Sequence, residues 1–100
     1  MRPRPKPEPG RLVYSRAGRD AGSYYVIITV ESPEYVRVAD GALRKIGNPK
    51  KKKLMHLHLT PIVLEEAAAR LESGRQLADG ELYNMIRRTG RGRSKDKEEK

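Results

Sequence analysis

The chain has no cysteine, no phenylalanine and no tryptophan. Without cysteine there is no disulfide framework and no thiolate chemistry, which fits a reducing compartment. Without Phe or Trp the core has to be built from Val, Ile, Leu and Met, with the five tyrosines at its margin. No run is long and apolar enough to cross a bilayer, and the first residues are rich in proline where a secretory signal would be apolar. A soluble, intracellular protein of the cytoplasm, with no membrane partner, is expected. Acidic charge is also scarce: 13 Asp and Glu stand against 22 Lys and Arg, for a net charge of +9.

That excess is clustered. Arg44, Lys45 and Lys50 to Lys53 follow one another without an intervening acid, and so do Arg87, Arg88, Arg91 and Arg93. Clustered positive charge on a small chain is the electrostatic footprint of nucleic-acid binding. A solvated basic surface or affinity for anionic lipid is the alternative, and the lack of a basic amphipathic helix with a broad apolar face weakens the lipid reading.

One hundred residues allow a single domain. From residue 11 to 60 the pattern has the period of two expected of strands. A short strand around Leu12-Val13-Tyr14 leads through a loop hinged by Gly18 and Gly22 into Tyr24 to Val30. In that second strand Val26, Ile28 and Val30 share one face. Val36 and Val38 repeat the pattern in a third strand, Asp40-Gly41 signals a turn, and a weak fourth strand is expected at Leu43 to Ile46. Gly47-Asn48-Pro49 then breaks the chain, which puts Lys50 to Lys53 in a loop before a last strand with Met55, Leu57 and Leu59 on one face. Five short antiparallel strands cannot hide both faces in a flat sheet. A small five-stranded barrel, mainly β, is therefore expected.

After Thr60 the period changes to that of a helix. Thr60 is the expected N-cap, with Pro61 in the first turn. Leu64, Ala67, Ala68 and Leu71 form one face, and Gly74 marks the stop. Asp79 is the expected cap of a second short helix with a Leu82, Met85, Ile86 stripe ending near Gly90. The expected organisation is a disordered Pro/basic arm over 1–9, the barrel over 10–60, a short helical extension over 61–90 and a disordered charged tail over 91–100.

Gly10 to Val38 resembles the KOW motif, a pattern of roughly thirty alternating apolar and polar residues around a glycine whose place is taken here by Gly22. Gly10-Arg11-Leu12-Val13-Tyr14, Ala17-Gly18-Arg19-Asp20-Ala21-Gly22, Val38-Ala39-Asp40-Gly41 and Leu57-His58-Leu59-Thr60 resemble blocks of a family of large-subunit ribosomal proteins. That family includes short KOW-containing bacterial proteins and the fourteenth-numbered large-subunit protein of eukaryotes and archaea. The resemblance covers residues 10–60 and is only loose in the helical tail. It implies an SH3-like barrel that binds RNA through its loops, most often large-subunit ribosomal RNA, beside neighbouring ribosomal proteins. KOW domains of transcription elongation factors bind proteins instead, so a protein-binding module acting with transcription or translation factors is the rival expectation. Dense lysine argues against the rival, since protein interfaces are depleted in it.

The candidate RNA contacts follow. Arg16 and Arg19 can grip phosphates bidentately or pair locally with Asp20 or Asp40, and the resemblance favours RNA. Arg44, Lys45, Lys50, Lys51, Lys52 and Lys53 read as phosphate contacts without base specificity. Arg87, Arg88, Arg91 and Arg93 form an Arg-Gly segment that can order along folded RNA. Gly18, Gly22 and Gly41 are the structural turn residues. Tyr14, Tyr24, Tyr25 and Tyr35 fill the barrel margin, with outward-facing Tyr25 or Tyr35 as stacking alternatives. His56 and His58 share a strand face but have no third ligand, so neither metal nor cofactor is expected. The parts list for catalysis is missing, so no enzyme is expected. The free protein is expected to be a monomer.

Overall fold

Alternation over two faces, both buried, shapes the sheet. In the computed structural model, which describes residues 5–90, five strands and two helices follow in order. They are β1 (Arg11–Ser15), β2 (Tyr24–Val30), β3 (Tyr35–Ala39), β4 (Lys50–Lys53), β5 (Leu57–Val63), α1 (Glu65–Ser73) and α2 (Asp79–Arg88). The strands form one antiparallel sheet in the order β4-β3-β2-β1-β5. β4 and β5 are its edges, no ladder joins them, and a single 3₁₀ turn, Leu54–His56, links them in sequence.

Val13, Tyr25, Ile27, Val36, Val38 and Leu57 pack on one face with Leu54 and Leu59. Leu12, Val26 and Ala39 on the opposite face meet Leu64, Ala67, Leu77, Leu82, Met85 and Ile86 from the helical segment. A strand covered on both faces needs apolar residues at consecutive positions. Leu12-Val13 and Val26-Ile27 supply them, and all four are fully buried. The sheet is also strongly bent. Asp20, in the β1–β2 loop, reaches Lys52 on β4, which lies on the far side of β2 and β3. No helix among the described residues is long and apolar enough to cross a membrane.

Both helices use the faces that the spacing predicts. Ala67 is buried on α1, Leu82, Met85 and Ile86 on α2, and Gly74 ends α1 in the left-handed conformation. Arg70 ties the pair together, donating to Glu81 at 2.5 Å and Glu66 at 2.7 Å.

Several local expectations are corrected. Met55 lies outside the last strand, exposed in the 3₁₀ turn ahead of Leu57. Leu43 to Ile46 is an irregular loop, and the fourth strand is Lys50–Lys53, paired with β3 from Val38↔Lys50 to Tyr35↔Lys53. Thr60 and Pro61 do not start a helix, because β5 runs to Val63 and α1 begins at Glu65, which moves the 60/61 boundary. Thr60 Oγ1 donates instead to the Leu12 carbonyl at 2.6 Å. Pro61 is tolerated because β5 is an edge, where a missing N–H breaks no interior ladder. Asp79 is the first residue of α2 and not its cap. Its Oδ1 accepts from the Ile46 N–H at 2.7 Å, while Glu81 accepts the Ala78 N–H. Tyr25 points inward and is 4% exposed.

The arm assigned to 1–9 lies partly, and the tail 91–100 wholly, outside the described residues. Lys6 and Glu8 are tied to the start of β1, where Arg11 Nε donates to the Lys6 carbonyl at 2.9 Å and the guanidinium pairs with Glu8.

Thr60→Val is expected to cost about 1–2 kcal/mol in urea denaturation, the usual cost of a lost buried hydrogen bond. The far-UV helical signal of the folded state should not change. A selective loss of helix content would restore the capping role.

Candidate nucleic-acid interface

Gly18 and Gly22 adopt φ values of 85° and 94°, which let the β1–β2 loop fold back on itself. The Gly22 N–H donates to the Ser15 carbonyl at 2.9 Å and the Ser23 N–H to the Asp20 carbonyl at 3.0 Å. This turns Asp20 inward and leaves Arg16 and Arg19 exposed. Asp20 does not pair with Arg19. It accepts from Ser15 Oγ at 3.0 Å, Tyr25 Oη at 2.9 Å and Lys52 Nζ at 3.1 Å, and lies 3.6 Å from Lys50 Nζ. Burial by itself raises the Asp20 pKa. The hydrogen bonds from Lys52, Tyr25 and Ser15, with the Lys52 charge, outweigh that and bring it from 3.8 down to about 2. Burial first, then its bond to the Asp20 carboxylate, pushes the Tyr25 hydroxyl upward.

The lysine run is a strand with two different faces. Lys50 and Lys52 turn toward Asp20. Lys52 is 8% exposed, its stem buried and its ammonium held by the carboxylate. On the other face Lys51 lies 3.7 Å from Glu31 and 4.7 Å from the Tyr35 ring centroid, while Arg37 also pairs with Glu31. The Arg37 hydrogen bond is the main reason the Glu31 pKa falls, with Lys51 adding to it. Lys53 is exposed and makes no ion pair among the described residues. The expected loop placement of Lys50 to Lys53 is therefore corrected: all four lie on a paired strand, and of them only Lys53 has no ion pair among the described residues.

The β3–β4 loop is fixed at both ends. Asp40 is buried, and its Oδ1 accepts from the Ala42 and Arg44 N–H groups, each at 2.9 Å. Its Oδ2 is buried without a hydrogen-bond partner among the described residues. Gly41, at φ 79°, sits against the start of α2. Arg44 and Lys45 project from this clamped loop with no ion pair among the described residues. Arg44 sits in the loop that follows the end of β3 paired with the start of β2, the same end of the sheet as the β1–β2 loop.

Arg87 and Arg88 lie elsewhere, in the last turn of α2, about 13 Å along the helix from Asp79. Arg87 donates to Tyr83 Oη at 3.1 Å. Arg91 and Arg93 fall outside the described residues. His56 ends the 3₁₀ turn and His58 lies on β5, both exposed. Among the described residues no group of three or more His, Asp and Glu could hold a metal ion.

The structure thus gathers Arg16, Arg19, Arg44 and Lys50 around one end of the sheet and keeps Arg87 and Arg88 apart. Sequence reasoning missed the Asp20 hub. A lone Asp between two glycines reads as a turn residue, and nothing local ties it to a lysine 32 positions away. No protein-family model matches the chain, and no curated protein is significantly similar to it.

Proposed function

We propose that this chain binds RNA electrostatically, as a ribosomal or ribosome-associated protein docking on large-subunit ribosomal RNA. In this reading the bent sheet is an SH3-like barrel of the KOW kind. The Asp20–Lys52 contact across the sheet and the 3₁₀ turn joining its two edges support that closure. One observation carries the functional reading. Asp20 and Glu31 are consumed by Lys50, Lys52, Lys51 and Arg37, while Arg16, Arg19, Arg44, Lys45 and Lys53 keep no carboxylate partner among the described residues. Cations held on a rigid frame without internal partners suit phosphate contact, which positions the protein without reading bases.

The test uses Arg16→Gln, Arg19→Gln, Lys45→Gln and Lys53→Gln together. All four side chains are exposed, so the circular dichroism spectrum should be unchanged. RNA affinity should fall. If two or three of the four touch phosphate, the slope of log K against log salt should shrink by roughly 1.5 to 2.5 units. An unchanged slope would return the protein-binding rival. Sedimentation of cell extract through sucrose at low and high salt separates an integral large-subunit component, which persists, from an accessory factor, which is released.

A further inference from the structure

A row of rings crosses three adjacent strands. Tyr14 on β1 is the register partner of both Tyr24 on β2 and His58 on β5. Directly opposed residues of antiparallel neighbours share a face. The row therefore lies on the face of Leu12 and Val26, one step beyond them toward the β1–β2 loop. The Tyr14 and Tyr24 ring centroids are 4.9 Å apart with planes inclined at 56°. Both rings are half-buried, and His58 is exposed. Tyr24 packs against the helix-side core, whereas Tyr14 belongs to neither core cluster. Core packing therefore accounts for Tyr24 and not for Tyr14.

Arg16 supplies a positive charge beside the row. Arg16 follows two residues after Tyr14, its N–H donating to the His56 carbonyl at 2.9 Å and its exposed guanidinium reaching the Met55 carbonyl at 3.3 Å. Glu65 and Glu66, at the start of α1, follow the end of β5 that pairs with Arg11, the opposite end of β1. The Asp20 carboxylate bonds to Ser15 and Tyr25, on the opposite face of the same strands, and is held there by Lys52. An aromatic strip with an adjoining guanidinium fits an unpaired nucleotide, whose base offers a π-face while its phosphate carries the charge. A duplex offers no free base face to such a strip.

We propose that Tyr14, with His58 and Tyr24 beside it, is a stacking platform for unpaired nucleobases, with Arg16 on the adjoining phosphate. This rests on the RNA-binding reading and adds the class of RNA that the site takes. The test titrates the full chain with a short single-stranded RNA carrying 2-aminopurine, its abasic counterpart of equal phosphate number, and a duplex of the same length. Wild type should bind the single strand tightest and change its 2-aminopurine fluorescence. Tyr14→Leu and His58→Ala should each weaken the single strand roughly 5- to 100-fold. Neither should change abasic binding or the salt slope of the single strand. His58 is exposed, so His58→Ala carries the test if Tyr14→Leu fails to fold. Equal affinity for all three ligands with a steep salt slope overturns the platform and leaves electrostatic RNA binding standing. No binding to any of them at low salt overturns both.

Discussion

Asp20→Ala is expected to destabilise the protein by about 2–4 kcal/mol at neutral pH, the toll of breaking a largely buried ion pair. The substitution strands the buried Lys52 ammonium and removes the acceptor of the Tyr25 hydroxyl, while Ser15 Oγ keeps only the Ala17 carbonyl at 3.2 Å. Replacing both partners, Asp20→Ala with Lys52→Met, should recover much of the loss, because an apolar side chain then fills the site without an unpaired charge. The Asp20 pKa adds a second signature. Its folded value, about 2, lies below the ordinary 3.8, so the folded state holds the proton less tightly. The resulting stabilisation is fully present above about pH 4 and is lost as pH falls toward 2. Allowing for solvent screening, it amounts to about 1–2 kcal/mol. Urea denaturation of wild type and Asp20→Ala at pH 7 and pH 2.5 measures both effects. A stability gap that stays constant between the two pH values would show that the carboxylate is not what the variant loses.

Gly41→Val should be at least as damaging, at about 3–5 kcal/mol, from positive-φ strain and overpacking combined. At φ 79° a Cβ would overlap the Asp79 carbonyl oxygen and lie 3.0 Å from the Tyr83 backbone nitrogen. Both are main-chain atoms of α2, so neither can rotate away. In a domain of this size the melting temperature should drop by about 15 °C or more. Gly47 is the control: a Cβ there meets nothing within 4 Å, so Gly47→Ala should stay within about 0.5 kcal/mol of wild type. The same loop carries Arg44 and Lys45, so Gly41→Val protein that still folds should also bind RNA more weakly in the salt titration. Equal melting of the two variants would show that the β3–β4 loop is not clamped to α2.

The elements that could be read in the sequence are those whose side chains differ from one position to the next. Of the stripe Leu64, Ala67, Ala68 and Leu71 all but Ala68, which lies against Gly10, pack in the helix-side core with the stripe Leu82, Met85, Ile86, because a helix converts spacing directly into a face. The alternation in β3 and the turn glycines were legible for the same local reason, and Gly18, Gly22 and Gly41 all have positive φ. In β2 the alternation held only for Val26 and Ile28: a register shift between Ile27 and Thr29 sets Val30 opposite Val36, on the other face. Four identical lysines carry no alternation, so their division into an Asp20-facing pair and an outward pair could not be seen before β3 supplied the ladder. Thr60-Pro61 has the chemistry of a helix start. Its hydroxyl found the Leu12 carbonyl, 48 positions away in the chain, and the strand won.

By itself, then, the sequence determined a mainly β chain with two amphipathic C-terminal helices, a net charge of +9 and the identity of the turn residues. Only the tertiary structure decided which cations are neutralised inside the molecule and which are left facing outward. The physical reason is distance along the chain. Ion pairs such as Asp20–Lys52 join a loop to a strand on the far side of the sheet, and their partners are chosen by strand register and the bend of the sheet, neither of which any local stretch of residues encodes.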